Sequence, residues 1–174
     1  YAGTSRREFD VDAAVRRHAG ITLIDELAHS NIEGGVPQQR HLKRWQDVEE
    51  MLAAGLDVWT TVNVQHLESL NDVVAGITGI RQNETIPDKV FDEADEVELI
   101  DLPADDLIER LRAGKIYLPE QARHALDRFF RKPNLIALRE MALRRTADRV
   151  DASAMEYEGR ERQSRPWLAR DRFL

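Results

Sequence analysis

Short apolar runs rich in Val and Ile alternate with stretches whose apolar residues recur every three or four positions. That alternation predicts strand-helix units laid into a parallel sheet. Strands are expected at 21–25, 57–62 and 96–101. Between the first two, Trp45, Val48, Met51 and Leu52 fall on one helical face and Gly55 closes the run, giving a helix near 42–54. Asn63 is of the type that caps a helix, and Val64, Leu67, Leu70 and Val74 then face one way up to Gly76. Pro103 suits the first turn of a helix through Arg112 that Gly114 stops, and Pro119 opens another to about Phe130. Pro133 and Asn134 precede the longest helical pattern, with Leu135, Leu138, Met141 and Ala142 on one side, continuing to about Met155. Its arginine-rich opposite face is expected to meet solvent or a partner.

Crossovers between parallel strands are right-handed, so the expected fold is α/β, an open, mostly parallel sheet with helices on both sides. Three strands are few for that architecture, and residues 1–10 supply little before Ile21. The sheet therefore reads as N-terminally truncated and followed by a helical C-terminal part. The α/β core is expected to run to about 102 and the helical extension over 103–157. Residues 158–174 are charged and aperiodic and read as a linker.

With 174 residues, 42% hydrophobic and 33% charged, the chain can bury a core, which excludes disorder throughout. It has no cysteine, so disulfides, thiolate zinc sites and a cysteine nucleophile are excluded, and a reducing compartment suits it. No apolar run approaches the roughly 20 residues of a membrane helix, so a cytoplasmic segment without direct membrane insertion is expected. A net charge of −7 argues against nucleic acid as a partner. The charge is uneven: residues 88–106 carry nine acids against Lys89 alone, whereas 139–172 interleave nine arginines with seven acids. Neither stretch has the excess of positive charge that makes a phosphate-binding surface; the first reads as a solvated acidic face, the second as a helix and tail with internal pairing.

Candidate chemistry gathers at the carboxyl ends of the strands, the edge where open α/β sheets bind ligands. Ile21-Thr22-Leu23-Ile24 followed by Asp25-Glu26 resembles the Walker B element of P-loop nucleotide-binding proteins. In such a site the first acid holds Mg²⁺ directly or through water and the second orients an attacking water, giving Asp25 and Glu26 those roles. His29 and Ser30 follow this strand; Thr60, Thr61, Asn63, Gln65 and His66 end or follow the second. Asp25, Glu26, His29, Thr61 and Asn63 are the candidate contacts for a nucleotide, with Asp25 on the metal side. Each has a plainer explanation, since acids end strands to meet solvent, Thr suits strands and Asn63 can cap a helix. The phosphate-cradling GxxxxGK[ST] occurs nowhere in the chain. The five histidines, His18, His29, His41, His66 and His124, have no HExxH spacing, so a metal site built from protein ligands alone is not expected. The loop over 31–39 lies beside the candidate edge, as a lid or a simple connection.

Three segments carry a family resemblance: Asp25-Glu26-Leu27-Ala28-His29-Ser30-Asn31, Arg40-His41-Leu42-Lys43-Arg44-Trp45-Gln46-Asp47-Val48-Glu49-Glu50, and Thr60-Thr61-Val62-Asn63-Val64-Gln65-His66-Leu67-Glu68-Ser69. Together they resemble the N-terminal cytoplasmic domain of the KdpD sensor histidine kinases. The likeness extends through Phe9-Asp10-Val11-Asp12, residues 95–103 and residues 134–140, and the tail from Arg165 is similar to the entry into a following universal-stress-protein-like domain. The resemblance implies a P-loop-type fold in an inner-membrane-anchored kinase that governs potassium uptake and the osmotic response. It also implies ATP with Mg²⁺ as cofactor, and Asp25 and Glu26 as the Walker B pair. The implied partners are the other kinase domains, a response regulator and a second copy of the protein. The family's Walker A loop lies upstream of the stretch matching residues 1–12.

Two functions follow. In one, the chain is a regulatory sensor module that binds MgATP in the complete protein. In the other, it is a docking module without nucleotide, using the arginine-bearing helix after Asn134 and the acidic face over 88–106. A stand-alone ATPase is disfavoured by the missing phosphate loop.

Overall fold

The computed structural model describes residues 7–114 and 129–160, the side chains of 151–160 excepted. Asp10 starts the first helix, α1 (Val11–Arg17), by accepting the Ala13 N–H at 2.8 Å, and His18 closes it in the left-handed region at φ 46°. The chain then enters β1 (Thr22–Ile24), crosses over through α2 (Arg44–Ala53) and returns as β2 (Val58–Thr60). The two strands pair in parallel with Leu23 opposite Trp59 and Ile24 opposite Thr60. Helix α2 starts where the Lys43 N–H donates to Gln46 Oε1 at 3.1 Å, and it buries Asp47, Val48 and Met51. Leu52, expected on the same face, is 49% exposed.

A first core cluster joins Val11, Ile24, Leu27, Ala28, Val48, Met51, Leu56, Leu67 and Ile86. It lies on one side of the sheet. On the other side Leu23 and Trp59 are 75% and 61% exposed, so among the described residues helices do not cover both faces. The architecture is α/β with a small two-stranded parallel sheet.

Two expected elements differ. The helix after Asn63 is broken into 3₁₀ turns at Val64–His66 and Glu68–Leu70, then resumes as α3 (Asn71–Thr78), passing through Gly76 and ending at Gly79. Leu67 is extended at the break because it pairs with Ile86. The Ile86 N–H donates to His66 O at 2.8 Å, and the Glu68 N–H to Ile86 O at 3.1 Å. Asn63 makes no side-chain cap. The third strand, 96–101, does not form a strand: among the described residues the segment pairs with no neighbour, and Val97 and Leu99 are half-buried while Glu96, Glu98 and Ile100 are exposed.

That segment follows the short α4 (Asp88–Asp92) and leads into α5 (Ala104–Arg112), which starts directly after Pro103. The expected helix from Pro119 falls on residues 119–128, outside the described residues. Lys132 to Arg160 form α6, longer than expected. Leu138 of α6 joins Val74 and Phe129 in a second cluster, and Leu135 is buried as well. Its arginines up to Arg149 do not stand free. Arg139 Nε donates to Asp101 at 2.6 Å, and Arg145 bonds Asp92 while lying 4.8 Å from the Phe91 ring. With Lys132 and Asp105 2.8 Å apart as well, the acidic stretch and the basic face of α6 are each other's partners.

Candidate functional site

Because β1 and β2 are parallel neighbours, their carboxyl ends place Asp25 and Thr61 one residue past the paired positions, on a shared exposed rim. The Thr61 hydroxyl donates to Asp25 Oδ1. The same Oδ1 accepts the Glu26 N–H at 3.0 Å, and that N–H also reaches Thr61 Oγ1 at 3.1 Å. The Leu27 N–H donates to Thr61 O at 2.9 Å, so the chain leaving β1 stays tied to β2 as far as Leu27. Glu26 sits at φ 53°, a left-handed conformation that few non-glycine residues adopt. This turn keeps both carboxylates exposed instead of folding one into the core. Among the described residues no hydrogen bond falls on Asp25 Oδ2 or on the Glu26 carboxylate.

The other candidates divide. Asn63 is exposed on the segment that leaves β2, and its C=O accepts the His66 N–H at 2.9 Å. His29 belongs to a different cluster, with Nε2 3.4 Å from Glu8 Oε1. Ser30 gives its N–H to Glu84 at 2.7 Å, and its hydroxyl accepts from Lys43 Nζ at 2.7 Å. Burial pushes the Glu84 carboxyl up, but the Ser30 hydrogen bonds, with His29 and Lys43 nearby, outweigh it and hold the group below its usual range.

Two residues that sequence reasoning passed over organise this turn. Glu8, with a side chain only 2% exposed, accepts the Ile32 N–H at 3.1 Å and faces His29 and Arg44. Arg44, in the first turn of α2, donates from Nη1 to the Asp25 carbonyl at 2.9 Å, and its own N–H bonds His29 O at 3.0 Å. Nothing local marks Glu8 as buried, since it follows Arg6 and Arg7 in a polar stretch; only its partners, 21 to 36 residues away, reveal it. The loop over 31–39 is likewise tied down. Glu8 N–H donates to Val36 O at 3.1 Å, Gln39 Nε2 to Phe9 O at 3.1 Å, and a Cβ on Gly35 would lie 2.8 Å from Glu8 Cγ.

Beneath the loop Asp47 is nearly fully buried. Desolvation raises its carboxyl above the usual aspartate range, against the Asn31 amide that donates to Oδ2 at 2.6 Å; Oδ1 has no partner among the described residues. Asn31 also donates to His41 O at 3.0 Å, so one side chain closes the loop and meets the buried acid. Among the described residues, no three His, Asp or Glu side chains are grouped to hold a metal, and no helix is long and apolar enough to cross a membrane. What the rim offers is one carboxylate oxygen free of protein partners, a second exposed carboxylate and a threonine hydroxyl. These are hard oxygen donors, the kind Mg²⁺ takes alongside water and phosphate.

Fold and rim together define a small α/β module with an acidic, hydroxyl-bearing strand-end edge. Residues 1–150 match the family described as the osmosensitive K⁺ channel His kinase sensor domain, KdpD, and the chain belongs to that family. It is 58% identical to the sensor protein KdpD of Escherichia coli over 174 residues, 100% of this chain and 19% of that protein. It is 60% identical to the Clostridium acetobutylicum sensor protein KdpD over 151 residues, 87% of this chain and 16% of that protein. The Mycobacterium tuberculosis sensor protein KdpD is 48% identical over the whole chain, which spans 20% of it. The chain thus spans about a fifth of the length of these relatives.

Proposed function

We propose that this chain is part of the regulatory sensor module of a two-component histidine kinase controlling potassium uptake and the osmotic response, with a P-loop-type site for MgATP. The observation that carries the reading is the Asp25–Thr61 pair, an acid and a hydroxyl from adjacent parallel strands bonded on an exposed rim. Asp25, through its free oxygen or a water, would hold Mg²⁺, and Thr61 keeps that carboxylate turned to the rim. Glu26 would face a water, with Asn63 flanking, while His29, turned to Glu8 in the neighbouring cluster, would act only from behind the rim. The metal-nucleotide would supply charge neutralisation across its phosphates; the chain's own residues fix its position. Binding acts as a regulatory switch only insofar as nucleotide favours one domain arrangement over another. The phosphate-cradling loop would come from the complete protein, in which the module sits on the cytoplasmic side of an inner-membrane-anchored kinase.

Titration calorimetry with MgATP on the complete protein tests this. Asp25→Asn is expected to weaken binding at least tenfold and to reduce its Mg²⁺ dependence; identical affinity and metal dependence would refute the nucleotide site. The docking reading is favoured by one observation, the exposed apolar pair Leu23 and Trp59 on the open sheet face. The arginines of α6 do not favour it, because Arg139 and Arg145 are already paired within the chain.

A further inference from the structure

We infer that Arg44 is the positioning residue of the acidic turn, clamped by the buried carboxylate of Glu8, and that it sets the direction of the Asp25 and Glu26 side chains without itself lying on the rim. For ligand binding, the inference rests on the MgATP reading above; for the shape of the turn, it stands without it.

The turn is held from two sides. On the β2 side, Thr61 bonds the Asp25 carboxylate and receives the Glu26 and Leu27 N–H groups on its hydroxyl and carbonyl. On the α2 side, the hold is Arg44 Nη1 on the Asp25 carbonyl at 2.9 Å. The Asp25–Glu26 peptide is therefore fixed at both its oxygen and its nitrogen. A peptide fixed at both ends cannot rotate, and its rotation is the motion that would swing the flanking side chains off the rim while Glu26 escaped its φ of 53°.

Arg44 is suited to the task by its own restraint. Its side chain is 16% exposed and its Nη2 lies 3.8 Å from Glu8 Oε2; among the described residues its buried Nε has no partner, so the two Nη groups carry the hold. Glu8 in turn bonds Ile32 N–H and faces His29, while Arg44 N–H bonds His29 O. Both ends of the 25–32 segment are thus referred to one buried ion pair. A planar guanidinium can serve a carbonyl and a carboxylate at once; a lysine ammonium has the charge but not the fork. The close approach of Gly35 to Glu8 leaves no room for another side chain there.

Amide hydrogen exchange followed by NMR on this chain is the direct test. Arg44→Met is expected to speed exchange at Glu26 and Leu27 at least tenfold, with Thr22 and Ala54 as references that hold their rates, and Arg44→Lys to recover part of the difference. Unchanged rates at Glu26 and Leu27 would overturn the inference. So would an equal acceleration everywhere, which would mark Arg44 as a general support of the fold. In the complete protein, Arg44→Met should raise the Mg²⁺ concentration needed for half-maximal ATP binding severalfold and leave metal-free ATP binding unchanged. If Asp25→Asn weakens MgATP binding and Arg44→Met does not, positioning is refuted while the nucleotide site stands. If Asp25→Asn binds as wild type, the nucleotide reading falls and the exchange rates alone decide the role of Arg44.

Discussion

The acidic rim and the α6 clasp both present carboxylates to solvent, yet they are held by opposite means. At the rim, Asp25 is turned outward by a hydroxyl and a backbone N–H, and behind it stand the largely enclosed side chains of Glu8 and Arg44 and the buried Asp47 and Met51. Along α6, Asp88, Asp92, Asp101 and Asp105 are each met by an Arg or Lys in ion pairs that are exposed or half-exposed, laid over a thin apolar contact of Leu135, Leu138 and Phe129. Charges already paired at a surface are screened and have little left to give a ligand. A carboxylate oxygen that no protein group has taken, on a rigid turn, is what a ligand can use. The difference separates the candidate site from a merely acidic surface more sharply than composition does.

The largest expected effect removes the support of the rim. Met51→Ala, at a fully buried position, should cost about 2–5 kcal/mol in urea denaturation. Leu138→Ala belongs to the second cluster and should release α6 while the Leu27 amide stays protected from exchange. If both variants unfold the molecule in one transition with Leu27 unprotected, the two regions are a single cooperative unit and the contrast is lost.

Next in size is Asn31→Ala, which strips the donor from the buried Asp47 carboxylate and should cost about 1–3 kcal/mol. Being buried, that loss should hardly change between low and high salt. Arg145→Met gives the surface counterpart. Arg145 is only 17% exposed and stacks near Phe91, so the cost should be about 1 kcal/mol, part of which disappears in 1 M salt. A salt-insensitive loss at Arg145 would show that the clasp is held by the ring contact and not by charge.

The sequence made some of this legible. The apolar runs over 21–25 and 57–62 marked both strands, which the fold shortens to Thr22–Ile24 and Val58–Thr60; helical spacing marked α2, Pro103 and Gly114 bracketed α5, and the acids at a strand end pointed to the rim where Asp25 and Thr61 do meet. Periodicity misled where it reports facing and not pairing. Over 96–101 the alternation is real, but it answers to the half-burial of Val97 and Leu99, and among the described residues no strand lies beside it. From Val64 to Val74 a spacing of three or four suits 3₁₀ turns as well as an α-helix, and pairing with Ile86, far along the chain, decided between them. Glu8 was invisible because a buried ion pair leaves no local pattern.

The smallest expected effect is the response to acid, and it should run in opposite directions in the two regions. Arg139 donates to Asp101 and holds its carboxyl below the usual aspartate range, so the folded state binds that proton less readily than the unfolded chain. The stability Asp101 contributes is present above the unfolded pKa and is lost as pH falls through the lower folded value. Asp47 has its pKa raised by desolvation, so its protonated form is favoured on folding: the gain is complete below the unfolded pKa and is lost as pH rises through the higher folded value. Acidification should therefore first relax the strain beneath the rim and only afterwards open the clasp. Carboxyl carbon shifts followed by NMR from neutral to acidic pH should show Asp47 titrating well before Asp101. Arg139→Gln should bring the Asp101 midpoint back up while leaving Asp47 in place. If Asp101 titrates first, or if Arg139→Gln moves both midpoints, the two regions share one electrostatic environment and their separation fails.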